Sequence, residues 1–234
     1  MKQLQFLIKP AAGFCNMRCH YCFYRDEQQN RSTSEDCMMT LQTAETLIRR
    51  CFEELDQGGF VSFAFQGGEP TLAGLDFFLF FTQTVRKYNQ KCVTVQYAIQ
   101  TNGLAVAEEW AKFFREENFL VGISLDGTPN VHDALRPDAS GDGTWARVMQ
   151  TIELLHRYGV ECNLLCVVTK QLAKKAERVY KSMKATGVRY LQFIPCLDPL
   201  GMPQGQQNYS LTPELYARFL CALFDAWYRD WKTS

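Results

Sequence analysis

Six short apolar runs alternate with six longer amphipathic ones, and this alternation narrows the fold more than any other feature of the chain. The runs at 3–8, 60–65, 93–100, 120–125, 161–168 and 190–194 are rich in Val, Ile, Leu, Phe and Tyr and read as strands. That composition predicts strands buried on both faces. Helical patterns cover 40–55, 75–89, 107–117, 145–158, 172–186 and 213 to about 231. Thr40 precedes Leu41 as a cap, and Thr212-Pro213-Glu214 places proline at a first helical position. Gly159 and Gly187 stop the fourth and fifth helices. Strands and helices in this order imply an α/β fold of parallel strands joined by right-handed crossovers. Six units are too few to close an eight-stranded barrel. In such sheets the chemistry gathers in the loops at the carboxyl ends of the strands.

A chain of 234 residues can bury a substantial core, and it is expected to form one domain over residues 1–234. Lys+Arg and Asp+Glu are equal at 25 each, so no electrostatic argument favours a nucleic acid or an anionic membrane as partner. Residues 1–10 form a short amphipathic strand with Lys2 and Lys9, unlike a signal peptide. The apolar stretch 75–81 is interrupted by Asp76 and is too short to span a bilayer. A cytoplasmic location is expected. Of the ten cysteines, Cys37, Cys51, Cys92, Cys162, Cys166, Cys196 and Cys221 are scattered without ligand spacing. Most of these seven are read as buried, reduced thiols.

The other three, Cys15, Cys19 and Cys22, stand at a C-x3-C-x2-C spacing in one short loop. Three thiolates can hold three corners of a [4Fe-4S] cluster, and the missing fourth ligand would leave one iron open to a small molecule. A zinc loop is the plain alternative, but zinc prefers four closed ligands and no second C-x2-C pair exists. With Tyr21 just before the last cysteine, the loop resembles that of the radical S-adenosylmethionine (SAM) enzymes. That resemblance implies a partial (β/α)6 TIM-like barrel, with Cys15, Cys19 and Cys22 as cluster ligands and Tyr21 as a SAM contact.

Further motifs fall at predicted strand ends. Gln66-Gly67-Gly68-Glu69-Pro70 follows the second strand; two glycines allow close backbone approach, and Glu69 adds a carboxylate. A zwitterionic amino-acid moiety needs acceptors for its ammonium and donors for its carboxylate, although glycine and proline also make plain turns. In the resembling superfamily a Gly-Gly-Glu-Pro run contacts the methionine ammonium, and Gly68 matches its cofactor-binding glycine. Gln100-Thr101-Asn102-Gly103 follows the third strand and is by itself only a turn signal. Ser124-Leu125-Asp126-Gly127 follows the fourth, with Arg136 beyond. Ser124 and Arg136 could hold a carboxylate; the alternative is an Asx-type turn at Asp126 and a surface arginine. The resemblance assigns Ser124 and Arg136 to the SAM carboxylate, and Leu197 to the neighbourhood of the adenosine. His20, His132 and His156 form no metal or triad pattern, and Asp133, Asp138 and Asp142 form an acidic loop without paired-carboxylate logic. The breaker-rich stretch 198–208 reads equally as a lid, a docking loop or a connector.

Longer runs sharpen the resemblance. Leu7-Ile8-Lys9-Pro10, Cys22-Phe23-Tyr24, the stretch 63–74, Leu165-Cys166-Val167-Val168-Thr169, Gln192-Phe193-Ile194, the stretch 196–200 and Phe224-Asp225-Ala226-Trp227-Tyr228 are similar to those of the anaerobic sulfatase-maturating enzymes. The implied function is oxidation of an active-site Cys or Ser of a sulfatase polypeptide to Cα-formylglycine through a 5′-deoxyadenosyl radical. Tyr24 and Gln66 are then expected to line the site near the substrate carbon. A ferredoxin or flavodoxin is the expected electron donor. The family continues into a C-terminal domain with two further clusters and an Asp base, which this sequence does not contain. On that ground the chain is expected to bind the first cluster and SAM but to complete formylglycine poorly. Another peptide-modifying radical SAM enzyme (crosslink or thioether forming) and a non-catalytic SAM- or cluster-binding module are the competing readings.

Overall fold

The computed structural model describes residues 2–25 and 38–233. Cys37 lies outside the described residues. Six parallel strands, β1 (Gln3–Ile8), β2 (Phe60–Phe65), β3 (Thr94–Thr101), β4 (Phe119–Ser124), β5 (Cys162–Val168) and β6 (Tyr190–Pro195), pair in sequence order. An unbroken order means that no connection reverses direction across the sheet. The helices therefore gather on one face, and the sheet curls away from them as a half-barrel whose edge strands, β1 and β6, do not meet. The helices are α1 (Leu41–Glu54), α2 (Leu75–Tyr88), α3 (Glu108–Glu116), α4 (Pro129–Leu135), α5 (Trp145–Arg157), α6 (Lys170–Ala173), α7 (Ala176–Lys184) and α8 (Pro213–Thr233). A 3-10 turn, Pro70–Ala73, lies between β2 and α2.

Register explains where the core sits. Phe6, Phe63, Tyr97 and Phe119 are aligned across four strands, as are Ile8, Phe65, Ile99 and Val121, and both rows face the helices. There they meet Phe77, Phe78 and Phe81 of α2 and Trp110, Phe113 and Phe114 of α3. Ring pairs such as Phe65–Phe78, with centroids 4.9 Å apart, and Tyr97–Phe119, at 5.0 Å, make this an aromatic core. The alternate rows face the hollow of the half-barrel. They carry Gln5, Ser62 and Gln96, then Leu7, Ala64, Ala98 and Leu120, then Gln100, Gly122 and Asn163.

Burial on both strand faces is therefore corrected to burial on one. Leu7 is 60% exposed, Leu120 43% and Tyr190 72%, because a single helix layer covers only the convex face. The sequence pattern also missed α4, a seven-residue helix opened by Pro129, and read α6 and α7 as one. Thr40 caps α1, its hydroxyl accepting from Thr43 N at 3.1 Å, as expected. Of the scattered cysteines within the described residues, Cys51, Cys162, Cys166 and Cys196 are buried, whereas Cys92 and Cys221 are exposed; none of the four buried thiols is disulfide-bonded. The breaker-rich loop is clasped at its base by Asp198, which accepts from Gly205 N at 2.8 Å and from the Ser210 hydroxyl. Among the described residues no helix is long and apolar enough to cross a membrane.

Because Phe78 is fully buried and touches five other aromatic rings, Phe78→Ala is expected to cost about 3–5 kcal/mol. Leu120→Ala on the hollow face should cost far less. Urea unfolding of the two variants measures the difference.

Candidate functional site

The chain leaves β1 at Ile8 and enters the loop that carries Cys15, Cys19 and Cys22. Backbone hydrogen bonds hold that loop on two sides. On one side, Gln66 N donates to Ile8 O at 2.9 Å, Gly68 N to Ala12 O at 2.9 Å and Glu69 N to Phe14 O at 2.6 Å. On the other, Ala139 N donates to Asn16 O at 3.1 Å, Arg18 N to Pro137 O at 2.9 Å and His20 N to Leu135 O at 2.9 Å. The segment after β2 and the segment after α4 thus grip the thiol loop between them. Gly68 is required by this grip, since a Cβ there would overlap the Phe14 carbonyl. Its amide and that of Glu69 are consumed by the loop. The expectation that this run offers donors to a ligand carboxylate is corrected to that extent.

Glu69 is buried and heavily bonded. Its Oε1 accepts from Thr71 N (3.1 Å), Thr71 Oγ1 (2.6 Å) and Thr101 Oγ1 (2.7 Å), and its Oε2 from Asn102 N (2.7 Å). A carboxylate has about four acceptor sites, so Glu69 first joins the ends of β2 and β3; the lone pair left on Oε2 is what it can offer a ligand. Burial still pushes its carboxyl above the ordinary range, against these hydrogen bonds.

Across the site, Tyr21 donates its hydroxyl to Asp126 Oδ2, and Arg136 Nη1 donates to the same phenol oxygen at 3.0 Å. Asp126 is no Asx turn. Its Oδ1 accepts from Val167 N on β5 at 2.9 Å, so it ties β4, β5 and the cysteine loop together. Arg136 is not a surface arginine either: it is buried, and its Nε has no partner. His132 braces this group from behind. Asp126 N donates to His132 Nδ1 at 3.1 Å, which leaves the ring proton on Nε2, 2.9 Å from Thr144 Oγ1; Thr144 in turn donates to Arg136 O at 2.7 Å. Burial, with Arg136 nearby, pushes His132 down to about 2, so the ring stays neutral. Asp133 accepts from Thr144 N and Trp145 N, both at 2.8 Å, which caps α5. Asp138 accepts from Ser140 N and Asp142 N and pairs with Arg147 at 2.5 Å. The acidic loop is thus structural at both aspartates.

The sequence-predicted residues converge. Cys15, Cys19, Cys22, Tyr21 and Tyr24 line one cavity of about 820 Å³ at the carboxyl ends of the strands. Gln66, Gly68, Glu69, Ser124, Arg136 and Leu197 line the same cavity, Leu197 standing 63% exposed. Ser124 accepts from Gln100 Nε2 at 3.1 Å. Asp126, His132, Thr144 and Asn102 are the functional-site residues that sequence reasoning missed. Their only local signal was an Asx turn and an Asn-Gly turn.

The donor set fits an iron–sulfur cluster and an amino-acid ligand. Three free thiols on one loop, with no fourth cysteine beside them among the described residues that line the cavity, match a cluster with an open iron. Burial pushes the Cys15 thiol up to about 11 and raises Cys19 as well, so binding iron must displace their protons. The orphaned Nε of buried Arg136 in the cavity wall suits an anionic group.

Gly68→Ala is expected to lose about 1–3 kcal/mol and to release the thiol loop. Iron content after anaerobic reconstitution should fall below that of the parent chain. His132, whose pKa is lowered by folding, binds protons in the unfolded chain that the folded chain refuses. Its contribution is complete above the ordinary pKa near 6.5 and is lost as pH falls below it, by about 1.4 kcal/mol per pH unit. Urea midpoints between pH 7 and 5 should drop more steeply for the parent than for His132→Gln.

A model of the Radical SAM superfamily matches residues 10–183. The Cysteine-type anaerobic sulfatase-maturating enzyme of Clostridium novyi (strain NT) is 50% identical over 230 residues, covering 98% of this chain and 61% of the relative. The Serine-type enzyme of Klebsiella aerogenes is 34% identical over 225 residues, covering 94% of this chain and 53% of the relative. The solved structure of native anSMEcpe with bound AdoMet and Kp18Cys peptide superposes with a TM-score of 0.92 at 43% identity, covering 99% of this chain and 62% of that one. The chain spans about three-fifths of the length of such relatives. Its cysteine loop, half-barrel and family match together place this chain in the Radical SAM superfamily.

Proposed function

We propose that this chain forms the cluster- and SAM-binding catalytic part of a cysteine-type anaerobic sulfatase-maturating enzyme, which oxidises an active-site cysteine of a sulfatase polypeptide to Cα-formylglycine. The carrying observation is the convergence of three thiols, the Gly67-Gly68-Glu69 run, Ser124 and Arg136 on one cavity. Identity of 50% to a Cysteine-type relative, against 34% to a Serine-type one, supports cysteine over serine as the residue oxidised. When bound, a [4Fe-4S] cluster and SAM supply a one-electron cleavage that yields a carbon radical able to take hydrogen from the substrate Cβ.

The residues of the chain have distinct parts in this reading. Cys15, Cys19 and Cys22 hold the cluster. Tyr21 and the Gly68–Glu69 backbone border the methionine and adenosine portions of SAM. Glu69 and the spare carbonyls of its run take the ammonium, while Arg136, aimed by Tyr21 and held by His132 and Thr144, takes the carboxylate with Ser124. Leu197 shields the adenosine at the rim. Tyr24 and Gln66 line the approach to the substrate carbon. A low-potential donor such as a ferredoxin or flavodoxin provides the electron, which fits a reducing cytoplasm.

The test is an anaerobic assay of the reconstituted, reduced chain with SAM and a cysteine-containing sulfatase peptide. The expected result is 5′-deoxyadenosine formation that is abolished in Cys15→Ala. Peptide mass followed in parallel reports whether the barrel completes formylglycine alone. A fully cluster-loaded chain that forms no 5′-deoxyadenosine would overturn the proposal.

A further inference from the structure

We propose that Asn102 is a positioning residue whose side-chain amide donates an N–H···S hydrogen bond to Cys15 and raises the reduction potential of the cluster that Cys15 would hold. This rests on the reading of Cys15 as a cluster ligand. Asn102 sits just past β3, in a run whose sequence looks like an ordinary turn. Its Nδ2 lies 3.7 Å from Cys15 Sγ and 2.7 Å from Asn16 Oδ1, so its two amide hydrogens have one acceptor each. The Oδ1 accepts from Leu104 N at 2.9 Å, and this backbone donor decides which end of the amide faces the sulfur. The backbone of Asn102 is fixed too, its N–H donating to Glu69 Oε2 at 2.7 Å. Every polar group of the side chain is committed, and the residue is buried.

Cys15 receives a second donor, Met17 N, at 3.4 Å from its sulfur. The three thiols are therefore not equivalent: Cys15 is held by two N–H groups, one from its own loop and one from the far side of the site. Adding one electron to a cluster increases negative charge on its thiolate sulfurs. A donor aimed at sulfur stabilises the reduced form more than the oxidised form, and so raises the potential. Asn102 also joins the two halves of the site. The same residue bonds the sulfur and Glu69, so a ligand that shifts the Gly68–Glu69 run pulls on the donor to Cys15. A merely structural asparagine would need the Leu104 and Asn16 bonds, but not the one to sulfur.

The experiment compares the full parent chain with Asn102→Leu, both reconstituted anaerobically with iron and sulfide. Potentials are read by redox titration of the EPR signal of the reduced cluster. A second measurement needs no variant at Asn102: pulsed EPR of reduced parent chain carrying side-chain ¹⁵N-labelled asparagine, with Asn16→Ser to assign the signal. The expected result is an exchangeable amide proton and a ¹⁵N coupling that survive Asn16→Ser. In Asn102→Leu the ¹⁵N coupling should vanish while the Met17 N–H proton remains, and the midpoint should shift to more negative potential. A cluster-loaded Asn102→Leu chain with unchanged potential would overturn the role of Asn102 while leaving the cluster reading intact. Absence of the ¹⁵N coupling in the loaded parent would do the same, even where Asn102→Leu fails to keep its cluster. A parent chain that forms no iron–sulfur cluster would overturn both.

Discussion

The site depends on a grip made of backbone. A loop of three cysteines has no regular structure of its own, and three thiols cannot fold it. Hydrogen bonds from Gln66, Gly68 and Glu69 on one side, and to or from residues 135–139 on the other, give it the rigidity of a sheet without its being a strand. Gly68 permits the contact because nothing larger fits beside Phe14 O. The glycine run is thus best understood as the seat of the cysteine loop, and its place beside a ligand follows from that.

A second constraint comes from topology. Parallel strands laid down in sequence order put their helices on one side, so the aromatic core is convex and the hollow side carries amides, small residues and exposed leucines. Gly122 illustrates the difference. A side chain at that position would overlap the Gln100 amide, which reaches over the neighbouring strand to Ser124. The interior of this half-barrel is therefore a partly open wall of mixed polar and apolar groups, whereas a closed barrel of eight strands is filled by its own side chains.

The six-strand pattern and the cysteine spacing were legible because both are local. Strand period, helix caps and a C-x3-C-x2-C run can be seen in a window of a few residues. So can Gly67-Gly68-Glu69, although the reason for its glycines could not. What escaped was everything whose meaning lies in a distant partner. Tyr21 and Asp126 are 105 positions apart, and Asn102 and Cys15 are 87 apart. His132 looked like an isolated histidine because its neighbours in space, Asp126 N and Thr144 Oγ1, come from two different loops. Burial on both strand faces was expected wrongly because apolar content cannot distinguish a sheet covered twice from one covered once, with a ligand chamber on the other side.

The order in which the grip is assembled has a consequence for biogenesis. The thiol loop is attached to β1 and leaves the ribosome before the segments that grip it, one at 66–69 and the other at 135–139. Until residues 135–139 have been made, the three cysteines hang from an edge strand that has only β2 to pair with. Long-range contacts of this kind form late in folding. Iron delivered during synthesis would meet a loose trithiol peptide, open to misligation and oxidation. The architecture therefore favours loading after translation, into a barrel already curled around its site.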